Sequence, residues 1–177
     1  MATRTWNIDN THSNVSFSIR HLVIAKVRGS FKSFTGTVTL DETSPESSAV
    51  TVEIDAASID TAEPTRDEHL RSADFFDAEN HPELKYELTR VEPIDDESSH
   101  VYGNLTMHGV TREVKLHVVL QGTDTDPSGN ERAGLEAIGA LQRSDFDMKF
   151  NQALGSGNML VGDKVKMALE VSAVKQP

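Results

Sequence analysis

The chain has 177 residues, of which 37% are hydrophobic and 25% charged, so it can form one domain with a substantial core. Its 17 Lys and Arg residues against 28 Asp and Glu give a formal charge of −11, which opposes attraction to nucleic acid and to anionic membranes. The lack of cysteine excludes disulfides and thiolate chemistry. No signal-like segment opens the sequence and no run approaches the ~20 apolar residues of a membrane span. We therefore expect a cytoplasmic protein, or a periplasmic or secreted one if a signal peptide has been removed.

The first third of the chain alternates apolar and polar residues, which predicts strands with one buried face. The alternation is clear over residues 15–19 and returns after residue 29. Between them, the continuous apolar run at 21–27 predicts either a helical turn or a strand end that is covered on both sides, and a helical turn that closes one end of a barrel is favoured. Phe31 and Phe34 have opposite parity, so a bulge between them would place both rings inside.

Further alternating segments follow at hairpin spacing, and a polar loop is expected over residues 41–48. His108 and Gly109 predict a tight turn between two of these segments. The remaining alternating runs cover 50–54, 84–88, 101–107, 114–120, 135–141 and 165–171. Eight or nine such strands are typical of an antiparallel barrel or sandwich. A barrel is favoured, because no run is protected as an edge by internal prolines. We expect an all-β single domain over residues 1–177.

Residues 58–82 are the one long interval without strand alternation. Thr65 can cap a short helix near residues 65–77, and Leu70, Ala73 and Phe76 give it an apolar edge. The sequence therefore predicts one helical insertion in an otherwise β chain.

The same interval carries the densest group of ionisable residues, and a histidine beside carboxylates can act as a general acid or base. Asp67 and Arg71 also have the spacing of an ordinary exposed helix ion pair, which is the favoured interpretation. The full group is Arg66, Asp67, His69, Arg71 and Asp74.

A metal site is not expected. His108 and His117 lie on segments joined by one hairpin, but His117 has the outward parity and no histidine pair has ligand spacing. No cofactor is required by any motif in the sequence.

The inward positions mix large and very small residues, and two interpretations of this pattern remain open. Small residues leave an open lumen, or they make room for bulky neighbours in a filled core. The large residues are Phe17, Phe34 and Tyr86, and the small ones are Gly36, Gly103, Ala137 and Gly139.

Several blocks along the chain resemble the YceI-like family. They are Trp6-x-Ile8-Asp9 with His12-Ser13, Val15-x-Phe17-x-Ile19-Arg20-His21-Leu22, Val27-Arg28-Gly29-x-Phe31-x-x-Phe34-x-Gly36, the run 54–61, Arg66-Asp67-x-His69-Leu70-Arg71-Ser72, the run 74–77, Gly103-x-Leu105-Thr106, the run 109–112, and Val161-Gly162-Asp163-x-Val165-Lys166. Together they span nearly the whole chain in the right order. One position departs from the pattern, since Glu113 follows Arg112 where proline is frequent.

The resemblance implies an eight-stranded, lipocalin-like antiparallel barrel whose apolar tube binds a long isoprenoid lipid or quinone. It also implies a homodimer, and the missing signal segment suggests a cytoplasmic branch of the family. The expected tube and lid residues are Phe17, Ile19, Phe34, Val38, Val52, Ile54, Leu70, Phe75, Phe76, Tyr86, Leu105, Met107, Leu116, Leu135 and Met167. Arg66, Asp67 and His69 are expected at a polar rim, as the outer side of that lid.

Two functions follow from these observations. The favoured one is a non-enzymatic carrier or store of an isoprenoid quinone, a polyprenyl compound or a related fatty lipid. The alternative is an enzyme that acts on an apolar substrate in the barrel through His69, Asp67 or His21. We do not expect an enzyme, because the sequence offers no convincing catalytic constellation, and no Gly-x-Ser-x-Gly motif frames the Ser and Thr residues between Thr35 and Ser48.

Overall fold

The computed structural model describes residues 3–41, 44 and 47–177, so half of the expected loop at 41–48 lies outside the described residues. One antiparallel sheet contains every strand of the described chain. The strands are β1 (Thr3–Ile8), β2 (Asn14–His21), β3 (Ala25–Phe31), β4 (Phe34–Asp41), β5 (Ala49–Asp55), β6 (Ile59–Asp60), β7 (Glu83–Pro93), β8 (Ser98–Met107), β9 (Val110–Thr125), β10 (Glu131–Gln142) and β11 (Val161–Lys175). The helix is α1 (Pro64–Arg71).

The sheet closes into an eight-stranded barrel, as the sequence predicted. Three barrel strands are interrupted: β2 continues β1, β4 continues β3, and β6 continues β5. The first halves pair in the order β1, β4 and β5, and the second halves pair in the matching order β2, β3 and β6. Closure comes from β11, which pairs with β10 on one side and with both β2 and β1 on the other.

The break between β3 and β4 is the expected irregularity that turns two phenylalanines inward. Phe31 and Phe34 end and begin these strands, and both are buried. The side chain of Asn10 satisfies the interrupted backbone, since its Oδ1 accepts from Phe34 N at 2.9 Å and its Nδ2 donates to Lys32 O at 3.1 Å. A side-chain amide thus replaces the missing ladder hydrogen bonds.

The helix begins one residue earlier than its expected cap and is short. Glu63 is the N-cap, and its carboxylate accepts from the backbone N–H of Thr65 at 3.2 Å and Arg66 at 2.7 Å. The expectation that Thr65 caps the helix is therefore wrong, because Pro64 occupies the first helical position and needs no N–H partner. After Arg71 the chain continues in turns that carry Phe75 and Phe76.

The helical turn expected at residues 21–27 is also wrong. These residues form the β2–β3 hairpin, with Leu22, Val23 and Ile24 as its tip. Leu22 and Val23 have φ of +55° and +66°, a left-handed backbone that non-glycine residues adopt rarely. The apolar run therefore forms a hairpin with an exposed tip, and its residues are not covered on both faces.

The barrel has two distinct ends. The helix end, as we name it, carries α1, the β2–β3 hairpin tip and the segment 147–160, and the opposite end carries the β7–β8 and β9–β10 hairpins. The most deeply buried side chains gather toward the helix end and include Phe31, Ile59, Leu84, Met107, Phe146 and Met148. Among the described residues, no helix has the length and apolar character needed to cross a membrane.

Candidate functional site: an apolar cavity in the barrel

The barrel encloses a cavity of about 730 Å³ that extends from the helix end to the opposite end. Its wall consists of the inward side chains of the barrel strands, with α1 and the segment after Met148 at one end. The volume lies within the range of ~300–1,000 Å³ that is usual for small-molecule sites. The lining is almost entirely aliphatic and aromatic, so a polar ligand would lose its hydration there without compensation.

The structure places all but one of the expected tube residues on this wall. The exception is Phe34, whose ring is buried among the core side chains and does not line the cavity. The residues that line the cavity as expected are Phe17, Ile19, Val38, Val52, Ile54, Leu70, Phe75, Phe76, Tyr86, Leu105, Met107, Leu116, Leu135 and Met167.

Other lining residues were missed at the level of sequence. Many have the same parity as the expected ones, so strict alternation along each strand would have found them: Val101, Val118, Leu141, Val165, Leu169 and Val171. Met148 and Phe150 belong to an irregular segment, where no periodicity indicates which side chains turn inward.

The inward glycines do not open the lumen. A Cβ at Gly36 would lie 2.4 Å from Ile8 Cδ1, and one at Gly139 would lie 2.7 Å from Leu116 Cδ2. At Gly103 it would meet the Tyr86 ring. The glycines therefore make room for bulky neighbours, and the cavity exists because valine, leucine and isoleucine side chains on facing strands do not meet at the axis.

Aromatic rings form the wall at the helix end. Phe31 contacts Phe17 and Phe76, with ring centroids 5.7 and 5.6 Å apart. Nearer the surface, Phe150 packs against Phe75 at 5.3 Å. His69 completes a three-ring cluster, at 5.0 Å from Phe75 and 5.1 Å from Phe150. This cluster separates the cavity from solvent at one side of the helix end.

The polar rim expected on α1 is only partly assembled. Arg66 and His69 line the cavity, but Asp67 does not, because it is 93% buried beneath the helix. Its carboxylate accepts from Thr61 N at 2.8 Å and from the Thr61 hydroxyl. Arg66 donates to the same residue, with Nε 2.7 Å from Thr61 Oγ1. Asp67 is thus part of the attachment of the helix to the barrel.

The expectation of an ion pair between Asp67 and Arg71 is also wrong, because both side chains bind the chain that precedes the helix. Arg71 donates to the carbonyl oxygens of Ala57 at 2.8 Å and Ile59 at 3.2 Å. Both side chains bind the turn that precedes the helix, because buried carbonyl and N–H groups there need partners.

The ionisable residues expected as one cluster on the insertion are therefore separated in the structure. His69 Nε2 lies 2.9 Å from Asp74 Oδ2, and this exposed pair is separate from buried Asp67. Within residues 3–41, 44 and 47–177, no three His, Cys, Asp or Glu side chains come together as metal ligands. The arrangement provides one histidine–carboxylate pair beside the cavity.

Charges at the cavity ends differ in sign. Asp96 and Glu97 lie at the opposite end, whereas the lining residues at the helix end include Arg20, Arg66 and Arg143. Arg143 is buried, and among the described residues its hydrogen bonds all go to backbone carbonyls, including Met148 O and Gly162 O, each at 2.8 Å. Burial lowers the pKa of Arg143 from its ordinary value. This guanidinium fixes the two ends of the irregular segment to each other.

No ionised side chain of the described residues lines the middle of the cavity. Tyr86 turns toward it, and burial raises the pKa of its hydroxyl to about 12, so the side chain stays neutral at physiological pH. The hydroxyl lies 3.4 Å from Val114 O. A bound molecule would thus meet hydrocarbon along the wall and polar groups only near the ends.

An antiparallel barrel closed around an apolar cavity defines a lipocalin-like class of protein. Within it, the model of the YceI-like domain matches residues 6–173 of this chain. The protein belongs to the YceI-like family.

Relatives support this membership over most of the chain. A UPF0312 protein of Photorhabdus laumondii is 42% identical over 143 residues, which cover 81% of this chain and 74% of the relative. Protein YceI of Escherichia coli O157:H7 is 38% identical over 168 residues, or 95% of this chain and 84% of the relative. A polyisoprenoid-binding domain from Saccharophagus degradans has the same fold, with a TM-score of 0.72 at 13% identity over 97% of this chain and 98% of that domain.

Proposed function

We propose that this protein binds one long-chain isoprenoid, such as an isoprenoid quinone or a polyprenyl compound, inside the barrel and carries or stores it. The observation that supports this proposal is the apolar, end-to-end cavity of about 730 Å³. The fold shared with a domain named for polyisoprenoid binding points in the same direction.

The apolar wall is a sufficient source of affinity. Each methylene removed from water contributes ~0.8 kcal/mol, so every isoprene unit offers several kcal/mol before association and chain ordering are subtracted. Because the middle of the wall has no charged group, selection acts on length and shape. The tube therefore favours a chain with few polar atoms along its length.

Organic extraction of the purified protein followed by mass spectrometry tests the proposal. We expect a long-chain isoprenoid at near-stoichiometric amount, and rebinding after extraction. Val118 and Val119 provide a matched pair of variants, because Val118 lines the cavity and its neighbour on β9 faces outward. Val118→Phe should shorten the longest chain that binds, whereas Val119→Phe should leave binding unchanged.

The proposal fails if extracts contain no long-chain lipid and the empty protein does not bind added polyprenyl chains. It also fails if the two phenylalanine variants behave alike while both remain folded, since binding would then occur outside the barrel. If the extract contains a fatty lipid in place of an isoprenoid, the proposed binding site stands and the proposed ligand class is wrong.

The exposed pair of His69 and Asp74 beside the cavity favours a second candidate, an enzyme acting on an apolar substrate. His69→Ala and Asp74→Ala are its test, with turnover of a bound lipid followed by mass spectrometry. Recovery of chemically unchanged lipid from the wild type and from both variants rejects this candidate.

The homodimer and the cytoplasmic location stay predictions. The family resemblance supports the first, and sedimentation velocity across a range of concentrations measures it. Fractionation of cells that express the native gene measures the second.

A further inference from the structure

The tip of the β2–β3 hairpin exposes three consecutive apolar residues. Leu22 is 42% exposed, Val23 46% and Ile24 86%, beside the mouth of the cavity. Two of them have positive φ, where asparagine and glycine are the residues that fit without strain. The hairpin thus retains large apolar side chains where both water and backbone geometry oppose them. Such conflicts are typical of functional surfaces.

The exposed apolar surface continues onto the neighbouring segment. Leu22 N donates to Leu160 O at 2.8 Å, and Met159, directly before it, is 53% exposed. Phe150, on the same segment, is 36% exposed and lines the cavity. We name these side chains the apolar rim: Leu22, Val23, Ile24, Phe150 and Met159. It adjoins the helix end of the cavity.

Positive charge flanks the rim in an otherwise acidic protein. Residues 10–40 contain four Lys and Arg and no Asp or Glu, although the chain as a whole has a formal charge of −11. Arg20 and Lys26 face each other across the hairpin, and Arg28 follows on β3. None of these three has an ion-pair partner among the described residues.

The acidic groups at this end lie on other elements, and most have partners. Glu63 caps α1, Asp74 contacts His69, Asp147 lies 3.3 Å from Lys149, and Asp163 accepts from Ser144. Glu68 on α1 and Asp145 on the turn after β10 are exposed. The positive potential is therefore concentrated on the hairpin, next to its apolar tip.

From this juxtaposition we infer that the apolar rim docks on an anionic lipid bilayer. The hairpin tip inserts at the level of the headgroups while Arg20, Lys26 and Arg28 contact lipid phosphates. The inference rests on the proposed function, because docking brings the cavity mouth to the surface from which a long apolar chain would enter. Charge complementarity favours an anionic bilayer over a neutral one as the occupant.

Co-sedimentation with phosphatidylcholine vesicles, with and without phosphatidylglycerol, tests docking without any need for the ligand. We expect binding that requires phosphatidylglycerol and weakens as salt is added, since exposed charges are screened. The Lys26→Gln, Arg28→Gln double variant should weaken it about tenfold or more, because each basic residue near an anionic surface contributes roughly a fivefold factor.

The decisive variant replaces Leu22 with Asn and Val23 with Gly. These residues suit the left-handed backbone, so the fold should be as stable as the wild type or more so. Vesicle binding should nevertheless fall about tenfold or more as apolar area is lost. Ile94→Asn is the matched control, because Ile94 is an equally exposed apolar residue at the opposite end and does not line the cavity.

Unchanged vesicle binding by the Leu22→Asn, Val23→Gly variant would overturn the inference, as would a loss of binding by Ile94→Asn. Wild-type protein that ignores anionic vesicles and binds only a partner protein would also overturn it. Binding of a polyprenyl chain in vesicle-free solution separates the two proposals. If the hairpin variants bind a polyprenyl chain normally in solution but take it up slowly from vesicles, the result supports both the proposed function and docking on the bilayer.

Discussion

The ring of Tyr86 lies directly against the backbone of Gly103 on the adjacent strand. A Cβ atom at Gly103 would fall 2.3 Å from Tyr86 Cζ and 2.5 Å from its hydroxyl oxygen. Real Cβ atoms do not approach other atoms so closely. The Tyr86 ring can therefore lie against the wall only because residue 103 has no side chain. The width of the cavity near Tyr86 depends on this contact.

Replacement of Gly103 by Ala should therefore affect both stability and capacity. The added methyl group displaces the Tyr86 ring toward the cavity and lowers the free energy of unfolding by about 1–3 kcal/mol, the usual effect of overpacking. The same displacement should lower the affinity for a long chain about tenfold. Urea denaturation and titration with a fluorescent polyprenyl analogue measure the two effects.

Gly134→Ala is the control for this substitution. Gly134 is also a strand glycine, but a Cβ there would meet its nearest neighbour, Gln121 Cβ, at an ordinary 3.8 Å. Equal losses of stability in the two variants would contradict the steric explanation and would point to a general intolerance of the strands to side chains.

Most of the fold could be predicted from the alternation of apolar and polar residues along each strand. Val15, Phe17 and Ile19 alternate cleanly, and the opposite parity of Phe31 and Phe34 located the break between β3 and β4. The reason is physical: a closed barrel buries one face of each strand, so alternation records which side chains turn inward. The same parity placed every expected tube residue of the strands except Phe34 on the wall of the cavity, although further wall residues of equal parity, such as Val118 and Val171, were not singled out.

Other features depend on contacts between distant segments, which parity does not record. Asp67 has the sequence spacing of an exposed helix residue, but its hydrogen bond from Thr61 N holds it in a buried position beneath α1. Phe150 lies in an irregular segment whose path is fixed by Arg143. Leu22 and Val23 were misassigned because an apolar run usually indicates burial, and here it forms an exposed tip.

Asp67→Ala tests whether this carboxylate is structural. Its removal leaves the N–H and hydroxyl of Thr61 without an acceptor under the helix, and we expect a loss of about 1–3 kcal/mol in the free energy of unfolding. Glu68→Ala changes the adjacent, exposed carboxylate and should have little effect on stability. If both variants are equally stable and only Asp67→Ala alters lipid chemistry, the residue is catalytic after all.

Phe150→Ala tests the aromatic cluster at the helix end. The ring contacts Phe75 and His69 and is about one-third exposed, so its removal should open the mouth while the barrel remains intact. We expect a bound polyprenyl chain to leave several times faster, since a wider mouth lowers the barrier to release. Transfer to serum albumin in the absence of vesicles gives the rate.

Met159→Ala is the comparison for release, because Met159 lies on the same segment, is more exposed and does not line the cavity. It should release ligand at the wild-type rate. A faster rate in both variants would show that the segment as a whole, and not the Phe150 ring, controls exit.

One arginine joins the N-terminal strand region to the β9–β10 loop. Arg132 Nη1 lies 2.9 Å from Asp9 Oδ2, and Nε lies 2.7 Å from Asp126 Oδ2. Hydrogen bonds from His12 and Arg132 lower the pKa of Asp9 to about 2. Hydrogen bonds from Arg132, first of all, lower the pKa of Asp126 to about 2.

These two pKa shifts determine how the stability of the fold changes at acid pH. Both carboxyl groups have a lower pKa when folded than their ordinary 3.8, so their stabilisation is complete above about pH 4 and disappears as the pH falls toward 2. Arg132→Met should lower the Tm by several degrees at pH 7 and by progressively less below pH 4. Lys149→Met, which removes the cation of an exposed pair with Asp147, should change the Tm little at any pH. A difference between wild type and Arg132→Met that stays constant from pH 7 to pH 2 would mean that Arg132 stabilises the barrel through packing and not through its two carboxylates.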